Sequence, residues 1–274
     1  MYEAYYGLRE KPFSIQPDPE FLYFSKRHAL AFTMLQYGIQ NRAGFSVICG
    51  EIGCGKTTLI RHLLNTLGEE LTVGLVYNTH RDIADLLEWI MLAFGQPYEG
   101  MSPVARYDAF QRFLIKEYAA GRRAILIVDE AQNLSASALE SLRMLSNINA
   151  DKDQLLQVIL VGQPQLRDLL KQPIAVDFFI PPLTVPEVAH YILHRLKVAG
   201  REEPLFTKAA VILIAEASKG IPRSINILCD MALVYGFGGG CTTIDSALVG
   251  EVLADRHDYG VLNAPPATTP SMGQ

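Results

Sequence analysis

The residues best suited to chemistry form one glycine-rich segment, residues 50–57, with the sequence Gly-Glu-Ile-Gly-Cys-Gly-Lys-Thr. It matches the pattern GxxxxGK[ST] at every position, directly after a β-branched run and directly before a helical pattern at Thr58–Leu67. Glycines let a backbone fold into a cup whose N–H groups point inward, and the following helix adds the positive end of its dipole. The segment therefore predicts a polyphosphate site, an interpretation that we favour over a glycine-rich turn with a chance lysine.

Two side chains of this segment have predicted roles. Lys56 should reach the β- and γ-phosphates of a nucleotide, and the Thr57 hydroxyl should bind Mg²⁺. Cys54 is either a small residue that fits the loop or a thiol whose pKa the helix dipole lowers. The full set of expected nucleotide contacts is Gly50, Glu51, Ile52, Gly53, Cys54, Gly55, Lys56, Thr57 and Thr58, with Arg223 from a later helix.

Two acidic residues, Asp129 and Glu130, follow the apolar run Ala124–Val128, which predicts a buried central strand. Such a strand delivers both carboxylates to the carboxyl edge of a parallel sheet, where ligands bind. Asp129 is therefore expected to organise Mg²⁺, and Glu130 to polarise a water molecule for attack on the γ-phosphate. The competing interpretation is a solvated pair of acids in a loop.

Three further polar residues are candidates for the same site. Gln163 follows the next strand and could touch the γ-phosphate or the attacking water. Asn78, after the second strand, could hold the Glu130 carboxylate until a partner binds, or it could cap a turn. Arg223, in Gly-Ile-Pro-Arg, begins a later helix and could swing onto the phosphates or simply face solvent.

The elements that must position these residues alternate between β-branched runs and helical patterns, which is typical of an α/β fold with a parallel sheet covered by helices. The predicted strands are Phe45–Cys49, Leu71–Tyr77, Ala124–Val128, Leu156–Val161 and Val176–Ile180. A small all-α module should follow, with helices at Val185–Ala199, Thr207–Ala217, Ile221–Tyr235 and Ser246–Asp255. Between the second and third predicted strands, Trp89 and Phe94 lie at helical spacing with Leu86 and Ile90, and we expect them in the core.

Composition narrows the class of protein. The 274 residues are 49% hydrophobic, which excludes disorder along the whole chain, and 24 basic against 29 acidic residues give a net charge of −5. No global positive field is available to bind nucleic acid or anionic lipid. The four cysteines lack CxxC spacing and suit a reducing compartment, so we expect a cytoplasmic protein. No apolar run approaches the ~20 residues of a membrane span.

Several motifs together resemble an AAA+ ATPase of the ExeA/GspA general secretion type. They are the phosphate loop, Ile-Val-Asp-Glu-Ala-Gln at 127–132, Leu-Val-Gly-Gln-Pro at 160–164, Gly-Ile-Pro-Arg-Ser-Ile-Asn at 220–226 and the opening Tyr-Tyr-Gly-Leu-Arg-Glu-Lys-Pro-Phe-Ser at 5–14. The resemblance covers residues 1–258 and is strongest to the variant associated with exosortase and PEP-CTERM exopolysaccharide loci. It implies a P-loop AAA+ domain followed by a small all-α lid.

The resemblance also implies a domain division, ligands and partners. The expected parts are an amino-terminal linker and first helix (1–44), the ATPase domain (45–182), a helical lid (183–258) and a Pro/Thr-rich tail (259–274). It places Gln163 at the sensor-1 position, Arg223 at the sensor-2 position and residues 13–24 near the adenine. ATP and Mg²⁺ are the expected ligands, and secretion or envelope-assembly proteins are the expected partners.

In such a family the ATP-bound protein should form a homo-oligomer, located in the cytoplasm or at the periphery of the inner membrane. Membrane contact would come only through partners or through a carboxyl-terminal region beyond this chain. One departure concerns the oligomer. Where the family has a charged segment ending in an arginine, this chain runs from Pro173 directly into Ile174, through either a deletion or residues missing from the sequence. We therefore expect weak ATP hydrolysis, unless Arg143 or Arg167 supplies the arginine.

Two other functions remain open. The chain could be a DNA-transaction regulator, because transposition ATPases share this core; however, residues 185–258 carry 7 basic and 9 acidic residues, so nucleic acid is not expected as a partner. It could also be a nucleotide-gated scaffold with little hydrolysis, which the missing arginine segment favours and the retained Asp129 and Glu130 oppose.

Overall fold

In the computed structural model, which describes residues 1–16, 18–77, 85–150, 153–170, 174 and 176–259, the chain forms two units. One unit is Phe24–Pro181, and the other combines Met1–Tyr23 with the residues from Pro182 onward. The first contains a sheet with helices on both faces, and the second contains helices.

The sheet of the first unit is parallel throughout. Its strands are β1 (Phe45–Gly50), β2 (Leu71–Val76), β3 (Arg123–Val128), β6 (Leu156–Gly162) and β7 (Val176–Ile180). They lie in the order β2-β3-β6-β1-β7. All five predicted strands are present, each within one residue of its expected ends, and the expected fold class is confirmed.

A short antiparallel pair was not predicted. It consists of β4 (Asn149–Ala150) and β5 (Asp153–Gln154). Two residues per strand are too few to produce a detectable alternation of apolar and polar side chains.

Six helices in the described part of this unit cover the sheet or connect its strands. They are α1 (Lys26–Gln40), α2 (Lys56–Leu64), α3 (Leu86–Ala93), α4 (Pro103–Ala119), α5 (Ala136–Ser146) and α6 (Leu166–Leu169). Helix α2 begins two residues earlier and ends three residues earlier than its predicted range. The earlier start makes Lys56 its first residue and Gly55 its N-cap.

The two faces of the sheet are both buried, because successive strand residues alternate between two hydrophobic cores. In β3, Ile125 and Ile127 pack with α1 and α2, whereas Leu126 and Val128 pack with α3, α4 and α5. A strand buried on both faces reads as a continuous apolar run, which is why β3 was recognisable from sequence. The strand ends at Val128, and Asp129 is the residue that follows it.

One core prediction was half wrong. Phe94 is buried, and its ring lies so close to Gly74 that a Cβ there would meet it at 2.7 Å. Trp89, however, is 48% exposed. Helix α3 has only eight residues and buries Leu86, Ile90 and Met91, so position 89 falls on its outer side.

The second unit is helical, as expected. Its helices are α7 (Val185–Val198), α8 (Lys208–Ser218), α9 (Pro222–Gly238) and α10 (Ser246–Tyr259). All four overlap their predicted ranges, and α9 extends three residues further than predicted.

The amino-terminal residues belong to this helical unit. The buried guanidinium of Arg195 donates hydrogen bonds to the carbonyls of Pro12 and Ser14 and lies 4.6 Å from the ring centroid of Phe21. Asn226 donates to the Ser14 carbonyl at 3.1 Å. Residues 1–23 group with these helices rather than with α1, because their apolar side chains pack against them.

Gly220 fixes the start of α9. Its φ is +70°, and a Cβ there would lie 2.0 Å from the Leu183 carbonyl oxygen. Gly220 in turn accepts a hydrogen bond from the Leu183 N–H at 2.8 Å. Only glycine tolerates both the positive φ and the close approach of the Leu183 carbonyl oxygen. This residue therefore sets where the helix carrying Arg223 begins.

Candidate functional site

The phosphate loop connects β1 to α2, and three glycines shape it. Gly53 and Gly55 have φ values of +81° and +95°, which favour glycine. At Gly50 the limit is space, because a Cβ would lie 2.6 Å from the Cys54 Sγ and 2.9 Å from the Ile180 carbonyl oxygen. The loop thus turns tightly into α2, whose first N–H groups have no partner within the helix.

Lys56 stabilises the loop from its inner side. Its ammonium is buried and donates to the carbonyls of Gly50 at 2.8 Å and Glu51 at 3.0 Å. In a trans peptide, the N–H following a carbonyl points in the opposite direction. The lysine therefore orients two peptide units of the loop, and a third ammonium hydrogen can serve a ligand phosphate.

The remaining loop positions differ in exposure. Glu51 and Ile52 are exposed at the tip, and Thr58 is half-buried in the first turn of α2. Cys54 is buried, and burial raises the pKa of its thiol, opposite to the lowering that the helix dipole suggested. Of the two interpretations of Cys54, the structure favours the small side chain that fits against Gly50.

The structure brings the loop and the acidic pair into contact. The Thr57 hydroxyl donates to the Asp129 Oδ2 at 2.9 Å, and the Glu130 N–H donates to the Asp129 Oδ1 at 2.9 Å. Asp129 is only 4% exposed, and this burial raises its pKa, although Thr57, the Glu130 N–H and the charge of Lys56 oppose the rise. A buried carboxylate and a hydroxyl at this distance are oxygen donors that fit Mg²⁺.

Glu130 has a strained backbone. Its φ of +52° and ψ of +36° lie in the left-handed region, which costs a non-glycine residue about 1 kcal/mol or more. It directly precedes a short 3₁₀ turn, Ala131–Asn133. Such strain persists where the surrounding structure enforces it, here at the residue expected to activate water.

Gln132 was not singled out from the sequence, yet it joins two predicted site residues. Its Nε2 donates to the Glu130 Oε2 at 2.6 Å, and its Oε1 accepts from the Gln163 N–H at 3.0 Å. A Cβ on Gly162 would lie 2.7 Å from the same Oε1, so glycine leaves room for the amide. One signal was available: a side chain two residues after Glu130 in a tight turn can reach back to it.

Other predicted residues are not brought into this cluster. Arg223 is exposed in the first turn of α9, in the helical unit. Asn78 lies outside the described residues, and so does Pro173, which precedes the junction with Ile174. For Gln163, the structure shows the contact of its backbone with Gln132, and the role of its side chain stays a prediction.

The two alternative arginines are each paired within the same unit. Arg143 forms an ion pair with Glu140, three residues earlier on α5. Arg167 donates to Asp177 at 2.7 Å and lies 5.6 Å from the ring centroid of Phe179. Either would have to leave its acidic partner to reach a neighbouring subunit.

The candidate site residues of the first unit lie within a match to a known protein family. Residues 39–170 match the family described as the AAA domain, a range that includes the loop, Asp129, Glu130 and Gln163. Over these residues the chain is similar to the AAA-domain family. An AAA domain on this fold supports nucleotide binding and ATPase activity in general.

The chain is also similar to a curated protein along most of its length. It is 41% identical over 272 residues to general secretion pathway protein A of Aeromonas hydrophila. The match covers 95% of this chain and 50% of that protein, so the chain spans about half the length of its relative. The expected resemblance to the ExeA/GspA type is confirmed, and that to the exosortase-associated variant stays a prediction.

Solved structures confirm the fold at low identity. The ORC2 protein of Aeropyrum pernix is 19% identical, with a TM-score of 0.63 over 90% of this chain and 71% of that one. A Drosophila ORC chain, in a structure with bound DNA, is 17% identical, with a TM-score of 0.65 over 93% of this chain and 67% of that one. At these identities the likeness concerns the fold alone.

Neither a membrane-spanning helix nor a cluster of metal-binding side chains occurs among the described residues. No described helix is long and apolar enough to span a membrane. Within the same residues, no group of three or more His, Cys, Asp or Glu side chains could hold a metal ion.

Proposed function

We propose that this protein binds ATP with Mg²⁺ and hydrolyses it to ADP and phosphate. The observation that carries the proposal is the 2.9 Å hydrogen bond between Thr57 and Asp129, which joins the phosphate loop to the carboxylates at the end of β3. A glycine-rich turn without this function would have no need of a buried carboxylate against its threonine, because burying an acid is costly.

In this proposal each residue has a distinct task. The loop N–H groups and Lys56 would bind the phosphates, and Thr57 and Asp129 would hold Mg²⁺, which would neutralise developing negative charge. Glu130 accepts a proton from the attacking water, while Gln132 fixes the orientation of its carboxylate. Gln163, Arg223 and Asn78 keep their expected roles at the γ-phosphate and at Glu130.

The expected biological role is assistance to secretion, envelope assembly or exopolysaccharide assembly through nucleotide-driven conformational change. The 41% identity to a general secretion pathway protein supports this role. We propose that the ATP-bound form assembles into a homo-oligomer on secretion or envelope proteins, in the cytoplasm or at the periphery of the inner membrane. Membrane contact would come through these partners or through a further carboxyl-terminal region.

A role on DNA is the main alternative. The similar ORC structure contains DNA, whereas residues 185–258 of this chain carry a net charge of −2. We expect no binding to duplex DNA that weakens steeply with salt. A fluorescence titration with and without ATP tests this, and strong salt-dependent binding would favour the DNA-transaction function.

The binding half of the proposal is tested with Lys56→Ala. Removing the ammonium leaves phosphate charge uncompensated and frees the Gly50 and Glu51 carbonyls, so calorimetric titration with ATP and Mg²⁺ should detect no useful affinity. Lys116→Ala, at an exposed lysine of α4, is the matched control and should bind as wild type does. Unchanged affinity in Lys56→Ala would contradict the proposal.

A further inference from the structure

A buried histidine outside the motifs contacts the phosphate loop. His28, in the first turn of α1, is 4% exposed, and its Nε2 lies 2.8 Å from the carbonyl oxygen of Cys54. The same nitrogen would lie 3.2 Å from a Cβ at Gly55. Helix α1 therefore touches the loop at the peptide that precedes α2.

The hydrogen bonds of this histidine define its tautomer. A carbonyl oxygen only accepts, so Nε2 must carry the hydrogen that reaches Cys54. Nδ1 lies 2.8 Å from the Ser25 Oγ, and that oxygen also accepts from the His28 backbone N–H at 3.2 Å. In the neutral ring, the Ser25 hydroxyl donates to Nδ1. Both ring nitrogens, the Ser25 hydroxyl and the Cys54 carbonyl oxygen then each have a hydrogen-bond partner.

The contact fixes a peptide that would otherwise rotate easily. A peptide followed by glycine can turn over at low cost, because glycine populates positive and negative φ about equally. The Cys54–Gly55 peptide is trans, so holding its carbonyl toward α1 directs the Gly55 N–H to the opposite side. Lys56 holds the Gly50 and Glu51 carbonyls, and no other hydrogen bond described for the loop acts on the Cys54 carbonyl.

We propose that His28 is a positioning residue for nucleotide binding: its Nε2–H fixes the Cys54–Gly55 peptide so that the Gly55 N–H faces the phosphates. This inference rests on the proposed ATP binding and names a residue that acts through the loop rather than on the nucleotide. It also makes α1 part of the phosphate site, because the position of this helix determines the orientation of the peptide.

Two substitutions at His28 separate the hydrogen bond from the bulk of the ring. In His28→Gln the amide nitrogen can occupy the Nε2 position, whereas in His28→Asn it can reach only the Nδ1 position. We expect the Kd for ATP with Mg²⁺ to rise about tenfold in the Asn variant, as for one lost hydrogen bond, and to stay within about threefold of wild type in the Gln variant. His190→Asn, at an exposed histidine of α7, is the control.

A second measurement needs no variant. The ¹⁵N shifts of the wild-type imidazole should identify the Nε2–H tautomer, and this hydrogen should stay protected from solvent when ATP is added. A ring protonated only on Nδ1 would overturn the proposal, as would equal ATP affinity in wild type and His28→Asn. Wild-type protein that binds no ATP at all would instead overturn the proposed function.

Discussion

At the scale of single residues, the site depends on contacts that orient charged groups before any ligand arrives. Lys56 is held by two carbonyls and Asp129 by two donors, and Glu130 is held in a left-handed conformation with its carboxylate on Gln132. Groups fixed in this way need little reorganisation during reaction, which is the main source of electrostatic catalysis.

Gln132 provides the first prediction at this scale. Gln132→Ala removes a donor to a carboxylate, so turnover should fall about tenfold or more while ATP affinity stays unchanged. Gly162→Ala should have a similar effect, because the new methyl group would displace the Gln132 amide. Steady-state kinetics and calorimetric titration measure both quantities.

The control for this prediction is Gln40→Ala, at an exposed glutamine that ends α1. It should leave kcat unchanged. If Gln132→Ala retains wild-type kcat, Glu130 does not depend on the amide, and its orientation must come from other contacts.

The residue types of the site were predictable because the loop pattern and the two acids each occur in a short run of sequence. Gln132 and His28 were not, for two reasons. The Gln132 amide acts by reaching the end of a strand 31 positions away, and His28 contacts a carbonyl 26 positions away. These long-range contacts produce no motif, since they exist only after the sheet and α1 have packed. The local contact of Gln132 with Glu130 was the one signal that the sequence offered.

At the scale of elements, the sheet positions the chemistry. The phosphate loop follows β1 and the acids follow β3, and both strands flank β6, whose end supplies the Gln163 N–H. Because all five strands are parallel, these ends lie on one edge. The strands could be predicted from their apolar runs, and β4 and β5 could not because they are so short.

Gly220 provides the prediction at this scale. Gly220→Ala places a Cβ 2.0 Å from the Leu183 carbonyl oxygen at a φ of +70°. The free energy of unfolding should fall by about 2 kcal/mol or more, because both the backbone angle and the clash disfavour alanine. Urea unfolding followed by circular dichroism measures this change.

The matched control is Gly250→Ala, at a glycine of α10 whose added Cβ would meet nothing within 4 Å. It should be neutral or slightly stabilising, because alanine favours a helix interior. A loss of stability as large as that expected for Gly220→Ala would mean that the effect is not specific to the Leu183 contact.

At the scale of the whole molecule, the two units could be predicted only in part. The helical composition of the residues after 182 was clear from periodicity. The grouping of residues 1–23 with those helices was not, because it depends on Arg195 and Asn226 binding carbonyls near positions 12–14. Irregular segments carry no periodic signal from which a docking partner could be inferred.

At this scale the prediction is how the specific ATPase activity changes with protein concentration. We expect ATP binding without a steep rise in specific activity as protein concentration increases, because Arg143 and Arg167 are each paired with an acid of their own unit. An arginine supplied by a neighbouring subunit typically contributes about 10³–10⁵ in rate. Phosphate release measured across a range of protein concentrations tests this expectation.

A steep rise would show that an arginine does act between subunits. Arg143→Ala and Arg167→Ala would then identify which one, because the responsible variant should lose the dependence on concentration and the other should keep it.

We propose that Glu130 activates water for attack on ATP bound at the phosphate loop. The most direct test is phosphate release by wild type and Glu130→Gln, measured with a sensitive assay at saturating ATP and Mg²⁺. The glutamine keeps the size and hydrogen-bonding capacity of the side chain but cannot accept the proton, so turnover should fall by about 10²-fold or more while ATP affinity is retained. Equal turnover in the two proteins would contradict this role of Glu130.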